Sequence, residues 1–512
     1  MDKHRTISIL GIILVFLMAL AVSRAVFLTV FMGGHFNDLA KDNMVKRIVL
    51  EPVRGVINDS KGKPLAMNID YQGKTVRFYP LGEVSAAIVG YLGKMSDYDL
   101  KNCGDNCFPD SLLGKAGLEK QYQDKLNGVP GEELVEETAN GKIKSTLSRT
   151  EPVNGENIMT NIDTDLQKKL TIALANAYVN TGKSGIAVVA KVSGEVLSLV
   201  SLPSYDPNLF VPDGKRSDYG GTYKSVADLI NDNEKKPLFD RAISGDYAPG
   251  SVYKLTPAIA ALEEGKIDKT TLINDTGEIK IGDYRFGNWY MDEYGKTEGE
   301  INIVKAIARS NDIFFYKVGE ALGVDKLVSW SKRLGLGSLT GIDLPGESDG
   351  FVPTPYWREK TTGSKWFLGN TYHMAIGQGD LMATPVQINR MTAAVISGLK
   401  CSPRLVGRSI CEDVKTSETN REIILEGMKG ACSKGGTAYP LFGYEGQIYC
   451  KTGTAQHGGE TTQPQAWVSV VVPKGNNIKD WLVVTVLIEA GGEGSKVAAP
   501  VVAEVMPYLL SL

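Results

Sequence analysis

The chain has 512 residues, 43% of them hydrophobic and 22% charged, with a formal net charge of −3. That length exceeds one ordinary domain, and two or three are expected. The charge balance, with no block of basic residues, gives no sign of a nucleic-acid partner, and the composition is globular, without repeats.

In chain order, the first element is an apolar run. Ile7 to Ser23 carries no charge, Arg24 interrupts it, and Ala25 to Gly34 continues it, with Lys3, His4 and Arg5 in front. This predicts one membrane-spanning helix with its N-terminus in the cytoplasm and the bulk of the chain outside. Residues 1–36 are therefore read as tail and anchor. Ala19-Leu20-Ala21 superficially offers a signal-peptide cleavage site, but hydrophobicity running on to Phe31 favours a retained anchor.

Residues 37–155 read as an elongated, non-catalytic module. Arg47 to Asp59, the turn Ser60–Lys63 and Pro64-Leu65-Ala66 predict a strand, a turn and a second strand. Gly117 to Leu126 predicts a helix closed by Asn127-Gly128. Cys103 and Cys107 bracket a short polar loop, and Cys401, Cys411, Cys432 and Cys450 are dispersed. Six cysteines allow 15 pairings, so free thiols or one or two disulfides stay open. The four histidines are scattered without a ligand partner, so no metal or cofactor site is expected.

The main domain is placed at 156–512. Asp163 or Thr164 caps a helix to about Asn180, and Gly185–Val192 with Val196–Ser201 form a hairpin around Ser193-Gly194-Glu195. A mostly helical stretch runs from about Asp206 to Pro440. Strand-like runs follow at 447–454, 466–472 and 481–488, then a helix from Ser495 to about Leu510. Strands at both ends with helices between predict an α+β fold. One antiparallel sheet is flanked by helices, with a helical subdomain on one face.

Within the helical stretch, Ser251 to about Glu264 has apolar residues at Val252, Leu255, Ile259 and Leu262, one helical stripe. Ser251 and Lys254 share the neighbouring face, one turn apart. A serine hydroxyl is a weak nucleophile until a base takes its proton, and a desolvated, neutral lysine can be that base. Taken alone, Ser251 after Pro249-Gly250 reads equally well as a helix cap. Pro257 in the second turn predicts a local irregularity. The helix is expected to run between the sheet and the helical region, with Ser251 at a cleft. Two further stretches matter: Ser310-Asn311-Asp312 at the head of an apolar helix, and Lys451-Thr452-Gly453-Thr454 at a strand end.

Ser-x-x-Lys, Ser-x-Asp and Lys-Thr-Gly-Thr in this order resemble the motif set of the penicillin-binding serine acyltransferases. The chain resembles class B high-molecular-weight penicillin-binding proteins over nearly its whole length. Further matching blocks are Pro52–Asp59, Gly117-Leu118-Glu119, Ser204–Asn208, Gly341–Glu347, Ile376–Gly379 and Thr384-Pro385.

The resemblance implies a peptidoglycan D,D-transpeptidase that is acylated by β-lactams. Ser251 is then the nucleophile on the penultimate D-alanine carbonyl of a stem peptide, and Lys254 its base. Ser310, helped by Lys451, relays a proton to the leaving D-alanine. Thr452 and Thr454 bind the terminal carboxylate along the Lys451-Thr452-Gly453-Thr454 strand, and the backbone N–H groups of Ser251 and Thr454 form the oxyanion hole. Asp312 departs from the commoner asparagine: an ionised aspartate only accepts. Elongation-type members look similar there.

The same resemblance leaves rivals. A class A β-lactamase would need Glu-x-x-x-Asn after Ser310, and the nearest such pattern, Glu298 to Asn302, precedes it. A class D β-lactamase and a D,D-carboxypeptidase escape that test. A β-lactam sensor should show several spans, and an inactive scaffold should lack a motif residue. The 37–155 segment is too short for a glycosyltransferase, so a separate membrane glycosyltransferase is the expected partner.

Overall fold

The computed structural model describes residues 3–42, 45–102, 112–138, 141–212, 214–456 and 462–512. Cys103, Cys107 and His457 lie outside the described residues. Packing divides the chain into two compact units: 1–54 with 127–156, and 55–126 with 157–512.

The first unit begins with a helix, Lys3–Val26, that continues as a π-helical turn over Phe27–Phe31. The apolar stretch His4–Phe31 spans 28 residues. At ~1.5 Å per residue it is longer than the ~30 Å hydrocarbon core of a bilayer. Its side chains are almost all exposed, Ile7, Phe16 and Phe31 among them. The unit also holds an antiparallel sheet in which Gly131–Glu137 lies between Val45–Leu50 and Ile143–Thr150. Ion pairs such as Arg47–Glu132 (2.6 Å) tie its strands. The hairpin at 131–150 was not legible in the sequence, because its charged residues face both sides and leave no apolar alternation.

One break in packing falls at 156/157, beside the sequence-based boundary near 155, and others fall at 54/55 and 126/127, inside the 37–155 segment. Residues 55–126 are bonded into the larger body. Gln167 donates to Val84 O (2.8 Å), Asn208 caps both backbone groups of Tyr79, and Tyr122 donates to Asp343 (2.8 Å). Glu119 is buried in an ion pair with Arg77 at 2.7 Å.

The larger body follows the expected order. Helix α1 (Thr164–Thr181) starts at the Asp163 cap, which accepts from Asp165 N and Leu166 N. Strands β1 (Gly185–Lys191) and β2 (Val196–Leu202) form the hairpin. The helical region contributes α2 (Leu255–Glu263), α3 (Ile303–Arg309), α4 (Asp312–Leu322), α5 (Pro385–Ser397) and α6 (Glu418–Ala431). Strands β3 (Tyr449–Ala455), β4 (Gln465–Val472) and β5 (Leu482–Ile488) complete an antiparallel sheet in the order β2-β1-β5-β4-β3, and α7 (Ala499–Ser511) closes the chain. Side chains alternate faces along each strand. One face, with Ala187, Val189, Val484 and Val486, meets α1 and α7 through Leu166, Leu170, Val501 and Val505. The other, with Ile186, Val188 and Val483, meets α5 through Ile388, Met391 and Val395.

Two expectations need correction. The helix against the sheet is α5, whose residues are all buried; α2 lies one layer out, on α4, α5, α6 and Val324–Arg333. α2 is almost wholly apolar, whereas α5 carries Gln387, Asn389, Arg390 and Thr392 and buries them too, so hydrophobicity alone ranked the two helices the wrong way round. The second correction concerns Ser251 to Glu264, which is not one α-helix. Gly250–Val252 forms a 3₁₀ turn, and the α-helix starts at Leu255. Pro257 therefore sits in the first α-turn, where its missing N–H would be unpaired anyway. Its potential acceptor, Tyr253 O, is taken by Thr256 N at 2.8 Å. The irregularity expected at Pro257 is this 3₁₀ entry.

Two disulfides are formed among the described residues, Cys401–Cys411 and Cys432–Cys450. The second joins the end of α6 to β3, one residue before Lys451.

Candidate functional site

The 3₁₀ turn that carries Ser251 is held against β3 by close backbone approach. Gly250 has φ +55°, and a Cβ there would lie 2.7 Å from Thr454 O. Gly250 N donates to Gly377 O (2.8 Å), and a Cβ on Gly377 would come within 2.1 Å of Gly250 O. Trp467 of β4 donates from Nε1 to Ala248 O (3.0 Å), which anchors the turn from the sheet side. Glycines at 250 and 377 are thus required by space as well as by dihedral.

Lys254, at the junction of the turn and α2, is fully buried. Its Nζ donates to Ser310 O and to Asp312 Oδ1, both at 2.7 Å, and lies 5.5 Å from the Phe315 ring centroid. Burial pushes its pKa below the usual lysine range, and Asp312 opposes that shift. No side-chain hydrogen bond joins Ser251 to Lys254 among the described residues.

Ser310 is the left-handed C-cap of α3, with φ +55°. The chain reverses there, so that Asn311 caps α4 by accepting from Phe314 N (2.9 Å) and Asp312 opens that helix. Ser310 presents its carbonyl to Lys254 and its Oγ to the second lysine: Lys451 Nζ donates to Ser310 Oγ at 2.8 Å and to Thr452 O at 3.0 Å. Lys451 is also fully buried. Burial first, then the neighbouring Lys254, hold its pKa well below the usual value, with Asp312 pulling the other way. Two buried lysines therefore share one acceptor residue, and each disfavours the charge on the other.

Strand β3 is an edge strand, paired only with β4. Thr454 O accepts from Gln378 Nε2 (3.4 Å) and Thr452 O from Lys451, so both carbonyls face the free edge. In an antiparallel ladder the N–H and C=O of one residue point the same way. The N–H groups of Thr452 and Thr454 therefore face that open edge too. The Thr452 hydroxyl meets Thr437 Oγ1 (2.7 Å), Thr454 Oγ1 accepts from Gly494 N (3.5 Å), and Gly453 lies under Val252 of the turn.

The fold thus gathers Ser251, Lys254, Ser310, Asp312 and the 451–454 strand from segments 200 residues apart. A hydroxyl, two buried amines and an unpaired strand edge form a constellation suited to acyl transfer through a serine ester. The sequence reading missed Asn288, Trp289 and Asp275, which hold Asp312 in place. Asn311, Gly377 and Gln378 lay inside the quoted motif blocks, but their contacts depend on tertiary placement. No group of three metal-ligating side chains occurs among the described residues.

Residues 185–507 match the family model of the penicillin binding protein transpeptidase domain, and residues 68–160 that of the penicillin-binding protein dimerisation domain. The peptidoglycan D,D-transpeptidase MrdA of Acinetobacter baumannii is 37% identical over 320 residues, 62% of this chain and 45% of its own. That of Escherichia coli K12 is 32% identical over 412 residues, 76% of this chain and 62% of its own. The chain therefore spans only part of the length of these curated relatives. Pseudomonas aeruginosa PBP2, solved in complex with WCK 5153, superposes with a TM-score of 0.77 at 32% identity, covering 91% of this chain and 97% of that one. A chain from a peptidoglycan synthase complex that coordinates polymerization and crosslinking gives 0.78 at 26% identity, covering 99% and 98%. With a transpeptidase family model matched over more than half its length, the chain belongs to the penicillin-binding protein transpeptidase family.

Proposed function

We propose that this protein is a membrane-anchored peptidoglycan D,D-transpeptidase that cross-links stem peptides through a serine acyl-enzyme and is acylated by β-lactams. The observation that carries the reading is the placement of Ser310 between the buried amines of Lys254 and Lys451, beside the Ser251 turn. A neutral lysine has two N–H bonds and one lone pair. On Lys254 the two N–H bonds are occupied by Ser310 O and Asp312 Oδ1, which leaves the lone pair for the Ser251 proton. Asp312 fits this arrangement, because the position calls for an acceptor.

In the proposed sequence, Ser251 Oγ attacks the penultimate D-alanine carbonyl as Lys254 takes its proton. The backbone N–H groups of Ser251 and Thr454 receive the developing oxyanion. The C–N bond to the terminal D-alanine breaks, and its nitrogen takes a proton from the Ser310 hydroxyl, assisted by Lys451. The donor peptide lies along the β3 edge, its carboxylate held by the Thr452 and Thr454 hydroxyls, while Gly453 lets the turn at Val252 pack against the strand. An amine of a second stem then attacks the ester and passes its proton to Ser310, which restores that hydroxyl. As the ester C–O bond breaks, Ser251 takes back the proton held by Lys254.

The anchor is read with its N-terminus in the cytoplasm and residues 156–512 as the extracytoplasmic transpeptidase part. Residues 37–155 are read as a non-catalytic pedestal. A separate membrane glycosyltransferase is the proposed partner, supported by the likeness to a synthase-complex chain. The relatives called MrdA support an elongation role in cell shape.

The test supplies stem pentapeptide with and without an acceptor amine. Cross-linked dimer that depends on the acceptor is expected. Release of D-alanine alone, at equal rate in both reactions, would mark a carboxypeptidase instead.

A further inference from the structure

Asp312 does more than accept from Lys254. Its Oδ2 accepts from Trp289 N (3.1 Å), and its own N–H donates to Asn288 Oδ1 (3.1 Å). Residues 288–289 and 312 thus close a two-bond ring. Asn288 makes no side-chain cap to its own helix, Trp289–Tyr294, and serves Asp312 instead. The amide of Asn288 is fixed from behind, because its Nδ2 donates to Asp275 Oδ2 (2.8 Å). Asn311 Nδ2 donates to the same oxygen (2.8 Å), which turns Asn311 Oδ1 toward Phe314 N. Glu298 N (2.9 Å) also reaches Asp275 Oδ2, and Gly277 N (2.9 Å) reaches Oδ1.

Asp275 is 2% exposed and accepts four N–H groups, all from neutral donors. A buried carboxylate without a cationic partner is expensive to keep. Here it has a specific effect: its Oδ2 accepts from both asparagine amides, which turns their NH₂ groups inward and holds each in one orientation. An amide at 275 could keep its oxygen in that place by facing its NH₂ toward Gly277 N–H alone, so truncation of the side chain, not amidation, removes the lock.

We propose that Asp275 is a positioning residue for the acylating lysine: by locking the Asn288 and Asn311 amides it makes Asp312 present one carboxylate oxygen to Lys254. The inference rests on the transpeptidase reading and adds to it a determinant 21 residues or more from any of the three motifs in sequence. The charged groups facing Lys254 are Asp312 and Lys451, and its remaining neighbours named above are neutral.

The experiment measures the rate of acylation by a fluorescent penicillin across pH, on the full chain in detergent. Wild type, Asp275→Ala, Asn288→Ala and Ser251→Ala are compared, with circular dichroism on each. Wild type labels and Ser251→Ala does not if the underlying reading holds; any other result there overturns that reading and is separate from this proposal. Loosening Asp312 withdraws the group that favours the lysine's charged form. Asp275→Ala and Asn288→Ala should therefore lose about tenfold or more in plateau rate, one strong hydrogen bond's worth, and move the acid limb to lower pH. A lower plateau with an unmoved limb in folded Asn288→Ala means a merely structural role and overturns the proposal, as does a wild-type profile in either variant. If Asp275→Ala does not fold, Asn288→Ala decides alone.

Discussion

Ser310 separates the chemistry of the site from its backbone geometry. Replacing it by alanine removes the acceptor of Lys451 Nζ at 2.8 Å but leaves the carbonyl that Lys254 uses at 2.7 Å. The lost bond is worth about 1 kcal/mol if Lys451 is neutral and up to about 3 kcal/mol if it is charged. If that bond is realised in the transition state, acylation should slow by about 5- to 150-fold. The backbone adds a second handle. At φ +55° an L-residue bears about 1–2 kcal/mol of strain that glycine escapes. Glycine gives back about 0.5–1 kcal/mol in unfolded-chain entropy. Ser310→Gly should therefore melt slightly above Ser310→Ala, yet be equally slow. Time courses of fluorescent-penicillin labelling on gels and thermal denaturation of both variants provide the two readouts. Wild-type labelling by Ser310→Gly would refute the relay role, and equal slowing with a lower melting point for the glycine variant would refute the strain argument.

Four further outcomes are expected. Acylation should fall as pH drops through the depressed pKa of Lys254, because the protonated amine has no lone pair for the Ser251 proton; a rate that rises toward acid pH contradicts this. Asp312→Asn must place an NH₂ group against either Trp289 N–H or Lys254, which costs about 1–3 kcal/mol for the misplaced donor and should slow labelling. Gly250→Ala should abolish labelling, since its Cβ would lie 2.7 Å from Thr454 O in a left-handed backbone. Replacing Cys432 and Cys450 together by serine should lower stability by about 3 kcal/mol, given their separation of 18 residues, measured as a loss of melting temperature.

Ser251, both lysines and Ser310 were legible as candidates because each sits in a short local pattern whose residue types carry the chemistry. The hairpin β1–β2, the three late strands and the cap at Asp163 were legible for the same reason: alternation, glycine turns and capping residues act locally. What the sequence hid is non-local. The layer order of α2 and α5 depends on tertiary partners for the buried polar groups of α5, such as Val483 O for Asn389 and Thr340 O for Arg390. The 3₁₀ entry at Ser251 follows from Gly250, Gly377 and Thr454 meeting in space. The Asp275 hub joins residues 275, 288, 298 and 311 through amide orientations that no spacing rule encodes. The pair Cys432–Cys450 became assignable only once β3 was placed beside the end of α6, and Cys401–Cys411 only once Leu399–Cys401 was paired with Cys411–Asp413.

The central claim is that Ser251 forms the acyl-enzyme. Its most direct test is mass spectrometry of the protein after incubation with benzylpenicillin, followed by mapping of the labelled peptide. A single adduct of intact penicillin mass on Ser251, absent from Ser251→Ala, is the expected result. An adduct on another residue, or equal labelling of Ser251→Ala, would contradict it.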